Sequence, residues 1–365
     1  MVPNLRFLKF NQNYETLQLK NTLKIKSGKD QKQVEVENGI YNIYGTGGII
    51  GHTNTFLYDK ESVGIGRKGT IDKPVYFDQP FWTVDTLFYS EIYEGFIPKY
   101  IFYLFQTINW KKYNTSTGVP SLTSSSIENI EKSFPCYDEQ LKVANFLTMI
   151  DMRIETQIKI IELKQSLIKD IEDRILWKTT NTQTKPIREF LTEINNKSII
   201  QNQYPLLSST KKGLFLQTDY FNKEAASSNN IGYKIVHKGD IIISPQNLWM
   251  GNITYNDKFD DGLVSPSYRI YKVKEEYNAF YISRILMSYR ALSLYKNISE
   301  QGASIVRRNL NVDAFNELCF PIPNIKKQDE VGLFLSKLHQ ELKCETWILM
   351  QLKSQKNYLL NNMFI

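Results

Sequence analysis

Apolar residues recur every seven positions through two long stretches of this chain. From Leu147 they fall at Ile154, Ile161, Ile168 and Ile175, with Ile150 and Ile171 in the companion seam. A second series runs Leu335, Leu342, Leu349, Lys356 and Met363, with Leu338, Leu352 and Leu359 beside it. Sustained heptads flanked by Lys, Glu and Gln predict a coiled coil. Residues 139–178 would make a helix of about 60 Å at roughly 1.5 Å per residue. Two ordinary amphipathic helices, each on its own core, are the plainer alternative. The matching lengths favour pairing, and a twofold between the halves would make it antiparallel.

The stretches that lead into the two series also match. "TGVPSLTSSSIENIEKSFPCYDEQ" (117–140) and "QGASIVRRNLNVDAFNELCFPIPNIKKQ" (301–328) align Gly118 with Gly302, Ile127 with Val312, Ile130 with Phe315 and Pro135 with Pro321. Beyond them the offset settles at 188, where Gln140 meets Gln328 and Phe146-Leu147 meets Phe334-Leu335. A repeat at half the chain length implies a duplicated domain plus connector, related by a pseudo-twofold. Upstream of each motif, β-branched and aromatic runs are broken by Gly, Pro and Asn turns, as in "YNIYGTGGIIGHT" and "GYKIVHKGDIIISPQNLWMGNITY". Helical patches follow at about 96–112 and 276–295. The fold class is therefore α+β: two mixed α/β globular parts, 1–138 and 181–328, alternating with long helices at 139–180 and 329–365.

Composition narrows the class without naming a function. A chain of 365 residues, 42% hydrophobic and 13% aromatic, can bury a core in each half. Apolar runs are short and no leader pattern opens the chain, so the expectation is a cytoplasmic protein without a membrane span. Cys136, Cys319 and Cys344 are scattered singly, which fits a reducing compartment. The formal charge of +7 is uneven, with 15 basic and 14 acidic residues in 1–138 against 19 and 14 in 179–329. That balance permits a polyanionic partner but equally describes a solvated mixed surface.

Catalytic motifs are not found. "YGTGGIIG" lacks both the Walker Lys-Ser/Thr and an acid about 20 residues on, so it reads as a turn between strands. His52, His237 and His339 have no ligand spacing. Glu162-Leu163-Lys164 and Glu341-Leu342-Lys343 mimic the tail of a nuclease motif, but both sit inside the heptads as ordinary exposed charge pairs. No Gly-x-Ser-x-Gly elbow and no Asn-Pro-Pro-aromatic motif is present. The chain reads as a binder.

The hydroxyl-rich patch has a structural role in part. Ser125-x-x-Glu128 has the form of a capping box for a short helix whose Ile127, Ile130 and Phe134 face a core. Thr115, Ser116, Thr117, Ser121, Thr123 and Ser124 remain, with Gly118, Lys111 and Lys112. Short hydroxyls and backbone N–H groups around a Gly turn suit phosphate oxygens, and Arg307, Arg308 and Asn309 replace much of this run in the second copy.

The first motif, its degenerate second copy and the long helix after each resemble the specificity subunit of type I restriction-modification enzymes. The resemblance spans essentially the whole chain. The second half departs from the pattern, with Gly-Ala-Ser-Ile-Val (302–306) for the first element and Lys-Lys-Gln (326–328) for the last. The resemblance implies two target-recognition domains on two conserved helices, and a chain without catalysis of its own that reads a split double-stranded DNA target, one half-site per domain. It implies two modification (methyltransferase) subunits and two restriction (translocase-nuclease) subunits as partners, with S-adenosylmethionine, ATP and Mg belonging to them and no cofactor in this chain. Helix length would then set the spacer between half-sites. A scaffold holding two protein-binding domains and an orphan nuclease are the competing readings.

For DNA contacts the candidates in the first domain are Arg67, Lys68 and Thr70 in "GRKGT", where Gly66 and Gly69 permit close approach, together with Lys111, Lys112, Thr117, Ser121 and Thr123. In the second they are Lys211, Lys212, Gln246, Asn247, Arg307, Arg308 and Asn309. Gln and Asn suit adenine, and the basic residues suit guanine or phosphate. Trp249 and Tyr268 read as core.

Overall fold

A computed structural model of the chain describes residues 2–178, 181–211, 213–220, 229–301 and 308–365. The chain folds as two compact units, residues 1–159 with 347–365 and residues 160–346.

The first unit is built on a four-stranded antiparallel sheet in the order Leu23–Ser27, Leu87–Ile92, Ser62–Gly66, Val75–Phe77. Its central strands are largely buried, and two buried serines bond across them, Ser62 Oγ donating to Ser90 O at 2.7 Å and Ser90 Oγ donating to Val63 O at 2.9 Å. A three-stranded sheet joins Gly48–Thr53, Tyr41–Gly45 and Phe81–Thr83. The glycine-rich stretch is the hairpin turn inside it, with Gly48 at φ +120°, a conformation that side chains resist. The helix Pro98–Thr107 starts on a proline whose missing N–H costs nothing at that position, and it buries Tyr100, Ile101, Tyr103, Leu104 and Phe105. Ile127, Ile130 and Phe134 join the same core, Phe134 from the strand Glu131–Phe134.

The second unit repeats this plan. Leu191–Ile194, Arg269–Val273, Ile241–Ile243 and Ile253–Tyr255 form a sheet with the same order, so that first, fourth, second and third strands in sequence are neighbours in both units. Here the helical patch breaks in two, Ala279–Leu286 and Tyr289–Asn297, because Ser288 caps a new helix by accepting from Ala291 N.

Each unit completes its core with parts of both long helices, Tyr137–Lys178 and Ile325–Met363. In the first unit Val143, Leu147 and Ile150 meet Leu359, Leu360 and Met363. In the second, Ile171, Ile175 and Leu176 share a core with Val331, Leu335 and Leu338. Lys356 Nζ reaches Asp151 Oδ1 at 2.6 Å, while Lys164 Nζ reaches Glu345 Oε1 at 2.9 Å. Partners late in one helix thus face residues early in the other, which is the antiparallel coiled coil expected from the heptads. No described helix is long and apolar enough to cross a membrane.

One glutamine fastens each long helix to its domain, and it does so twice in the same way. Gln140 donates from Nε2 to Pro135 O at 3.0 Å and accepts from Ile97 N at 3.1 Å. Gln328 donates to Pro323 O at 2.8 Å and accepts from Asn278 N at 3.0 Å. Both glutamines are 2% exposed, so their partners have no water to turn to. Replacing Gln140 by Ala should cost about 1–3 kcal/mol for each backbone group left unpaired. Equal denaturant midpoints for the two proteins would contradict it.

In the second unit Glu172 is the centre of a buried ionic cluster. Arg284 binds both its oxygens, at 2.6 and 2.8 Å, and His339 Nε2 lies 2.8 Å from Oε1. Burial works to raise the Glu172 carboxyl, but the hydrogen bonds from His339 and Arg284 outweigh it and hold the group below its ordinary 4.5. Because the folded-state value is the lower one, the stabilisation is fully present above the unfolded-state value and disappears as pH falls through the folded one. Stability of the wild type should therefore drop more steeply below about pH 4.5 than that of Glu172→Gln. Parallel pH profiles for the two proteins would show that this carboxylate does not contribute.

Candidate nucleic-acid interface

Between strands Ser62–Gly66 and Val75–Phe77 lies the turn that carries Arg67, Lys68 and Thr70. Gly66 is required there, since a Cβ would stand 2.0 Å from Thr70 O, and Gly69 holds φ +93°. The turn is clamped on both sides by backbone. Arg67 N donates to Thr86 O at 2.8 Å, Gly69 N to Pro120 O at 2.8 Å, and Leu122 N to Arg67 O at 2.9 Å. Sequence segments about 50 residues apart are thereby joined into one rim, and rigid placement of the turn makes its side chains usable for recognition.

The rim borders an open cleft of 670 Å³ lined by Arg67, Lys68, Asp85, Thr86, Ser121 and Thr123 among others. The Arg67 guanidinium donates from Nη1 to Asp85 O at 3.3 Å and stands 6.0 Å over the Phe88 ring. One nitrogen is thus anchored on a side chain with five N–H donors in a fixed fork. Of the first-domain candidates, the structure brings Arg67, Lys68, Ser121 and Thr123 together on this cleft. Thr70 is half-buried behind the turn, and Lys112 and Thr117 are exposed beside it. Lys111 is paired with Asp72 at 3.3 Å on the surface, an interaction worth little.

Two sequence expectations need correction or addition. The short helix Ser124–Glu128 is capped by Thr123, whose Oγ1 accepts from Ser126 N while Ser126 Oγ accepts from Thr123 N, both at 3.1 Å. Ser125 lies inside the helix, and Glu128 instead accepts from Ile25 N at 2.9 Å. Four consecutive hydroxyl residues offer equivalent caps, and packing of Ile127 decides among them. The addition is Asn114, whose Oδ1 accepts from Ser116 N at 3.1 Å and Ser121 N at 2.9 Å and so shapes the hydroxyl loop. An Asn ahead of Thr-Ser-Thr-Gly is the turn signal that points to it.

In the second unit the loop after Ile241–Ile243 holds the same place in the sheet and carries Gln246 and Asn247. Gln246 is exposed, and its carbonyl accepts from Arg308 N at 3.3 Å. Asn247 O accepts from Met250 N at 3.1 Å and Asn252 N at 3.2 Å, which makes its backbone the pivot of the turn. The Arg308 guanidinium stacks 4.9 Å over the Trp249 ring. Both Arg308 Nε and Trp249 Nε1 are buried without a hydrogen-bond partner, two donors that would be satisfied by an incoming acceptor. Asn309 is exposed next to Arg308, and Lys211 sits on a separate hairpin turn. Lys212 and Arg307 lie outside the described residues, as does the Gly302 motif segment. Trp249 and Tyr268 are both half-buried, and Tyr268 packs against a core cluster while its hydroxyl donates to Ser209 O at 3.1 Å. Among the described residues no group of three or more His, Cys, Asp or Glu side chains could hold a metal ion.

Comparison with known proteins follows from this geometry. Residues 11–165 match the family model described as the type I restriction modification DNA specificity domain. The fold of the whole chain resembles the S subunit of a type I restriction-modification system from M. genitalium, with TM-score 0.63 at 17% identity over 100% of this chain and 99% of that one. A chain in a structure of complex assembly and conformational transition of the type I R-M system gives TM-score 0.58 at 10% identity, covering 96% and 97%. At these identities the structural likeness is one of fold. A comparison with curated proteins gives no match. The resemblance read from the 118–140 motif is borne out by the match of residues 11–165 to that family model.

Removal of the Arg67 side chain isolates its role. If Arg67 meets a guanine edge, Arg67→Ala should cost about 1–3 kcal/mol and relax one base position, while a phosphate contact would weaken all sequences alike and lower the salt slope by about one. Duplex titrations at several salt concentrations distinguish these, and unchanged binding would take the turn out of the interface.

Proposed function

We propose that this chain is the non-catalytic DNA-reading subunit of a type I restriction-modification complex, in which each unit meets one half of a bipartite duplex target. The observation that carries the reading is a repeated one. Two sheets of identical strand order each present an exposed loop after the same strand, with Arg67 on one and Gln246 on the other. Arginine matches guanine O6 and N7, and glutamine matches adenine N6 and N7. Different side chains on one scaffold are what two unlike half-sites require. Arg308 and Asn309 in the second unit, with Lys68, Ser121 and Thr123 in the first, supply neighbouring donors for phosphate oxygens.

The long helix Tyr137–Lys178 carries exposed Met149 and Met152 in the first unit and exposed Leu163 and Leu167 in the second, apolar side chains suited to protein partners. Two modification and two restriction subunits are assigned to the complex, and S-adenosylmethionine, ATP and Mg to those subunits. Substituting residues 181–328 by the matching segment of a relative in the reconstituted complex should change one half of the methylated target and leave the other. Change in both halves would defeat independent reading. Binding that ignores sequence and salt would favour the protein-scaffold reading instead.

A further inference from the structure

The duplicated scaffold carries two copies of a seat, one filled and, among the described residues, one open. In the first unit the N-terminal arm lies across the start of one long helix and the end of the other. Arg6 donates from Nε and Nη2 to Glu139 at 2.8 and 2.7 Å, and Tyr14 OH donates to the same carboxylate at 3.1 Å. Leu5 N donates to Asn362 O at 2.8 Å. Phe7 meets Phe146 edge-to-face with centroids 5.6 Å apart, and Lys142 Nζ stands 5.6 Å over the Phe7 ring. Glu139, Lys142, Phe146 and Asn362 are therefore the seat.

The offset of 188 that maps Gln140 onto Gln328 maps these four onto Lys327, Glu330, Phe334 and Arg174. In the second unit all four line an open cleft of 670 Å³, with Ile175, Lys178 and Val331. Phe334 is 45% exposed and Leu333 60%. Only three residues, 179–181, separate the long helix from the strand Thr182–Pro186, the counterpart of Glu15–Gln18, too few to form a second arm. An exposed aromatic ringed by charged side chains on a rigid helix has the make-up of an interface anchor.

The charges of the open seat are reversed. Lysine stands for Glu139, glutamate for Lys142 and arginine for Asn362. An arm from a second copy of this chain would bring Arg6 against Lys327, with Arg174 in place of the Asn362 that meets Asn4 and Leu5, and like charges brought together across an interface are strongly disfavoured. We infer that the cleft of Arg174, Lys178, Lys327 and Phe334 is a docking seat for an extended segment of a partner protein in which a carboxylate residue is followed by an aromatic one. The carboxylate takes the place of Arg6 and pairs with Lys327, displacing the exposed Glu330 that Lys327 meets at 3.1 Å in the open seat, with Arg174 as a neighbouring cation. The aromatic ring takes the place of Phe7 and packs on Phe334. The seat is separate from the DNA-facing loops, so its use does not depend on the DNA reading.

The test uses the full chain and two fluorescein-labelled peptides, residues 2–14 as they stand and the same peptide with Arg6→Glu. Fluorescence anisotropy should show saturable binding of the Arg6→Glu peptide, at least about tenfold tighter than the native one. In the Lys327→Glu chain the preference should invert, and in Phe334→Ala binding of the Arg6→Glu peptide should weaken by about tenfold or more. Both substituted side chains are exposed, and unchanged melting curves establish that the variants are folded. Absence of saturable binding, equal affinity for the two peptides, or indifference to both substitutions overturns the inference. Loss of duplex affinity in Lys327→Glu without peptide binding would also overturn it, by assigning the cations to phosphate.

Discussion

Everything else in this chain depends on the seam between its two long helices. Neither unit has a core that its own half of the sequence could finish. The first needs Leu359, Leu360 and Met363 from the end of the second helix, and the second needs Ile171, Ile175 and Leu176 from the end of the first. The heptad register is what brings these residues in, because a slip of one position in either helix would turn its apolar stripe away from the partner. Pairing and domain folding are thus one event, and the seven-residue period is so regular because two cores constrain it at once.

Apolar seams alone specify register weakly, and polar groups within this one make it unique. Lys164 pairs with Glu341 and Glu345, Lys356 with Asp151, and Glu172 gathers Arg284 and His339. Glu172, buried and held to His339 of the other helix, would be left unpaired in a poor solvent for charge by a shift of its own helix, whereas the partly exposed Lys164 pairs add little. This also disposes of Glu341-Leu342-Lys343 as chemistry. Lys343 is engaged by Asp257 at 2.5 Å and Glu341 by Lys164, which is structural pairing within one unit.

The same contrast explains what could be read before any coordinates. Heptads and the repeat were legible because periodicity accumulates over 40 residues and survives a seam lysine such as Lys356. Gln140 and Gln328 stood out as aligned positions, though their role as clasps needs Ile97 and Asn278, which come from elsewhere in the chain. Arg67 and Lys68 could be named from their flanking glycines. Asp85, Thr86 and Asn114 could not be placed beside them, since that rim exists only through backbone hydrogen bonds between distant segments. The cap was misassigned for a different reason. Thr123, Ser124, Ser125 and Ser126 have the same local chemistry, and only burial of Ile127 selects one of them.

Duplication followed by divergence accounts for where the two halves agree and where they part. Features that hold a unit together are retained in kind: the strand order and the glutamine clasp. Exposed groups have changed charge or class, as Arg67 to the exposed Gln246 of the corresponding loop, and Glu139, held by the N-terminal arm in the first unit, has become the exposed Lys327 in the second. A position free of internal partners can change without an unfolding cost, whereas Gln140 cannot, because its loss strands two buried backbone groups. Divergence on such a scaffold therefore falls at positions whose side chains the unit's own core does not fix, and comparing the halves of one chain separates those positions from the ones that folding constrains.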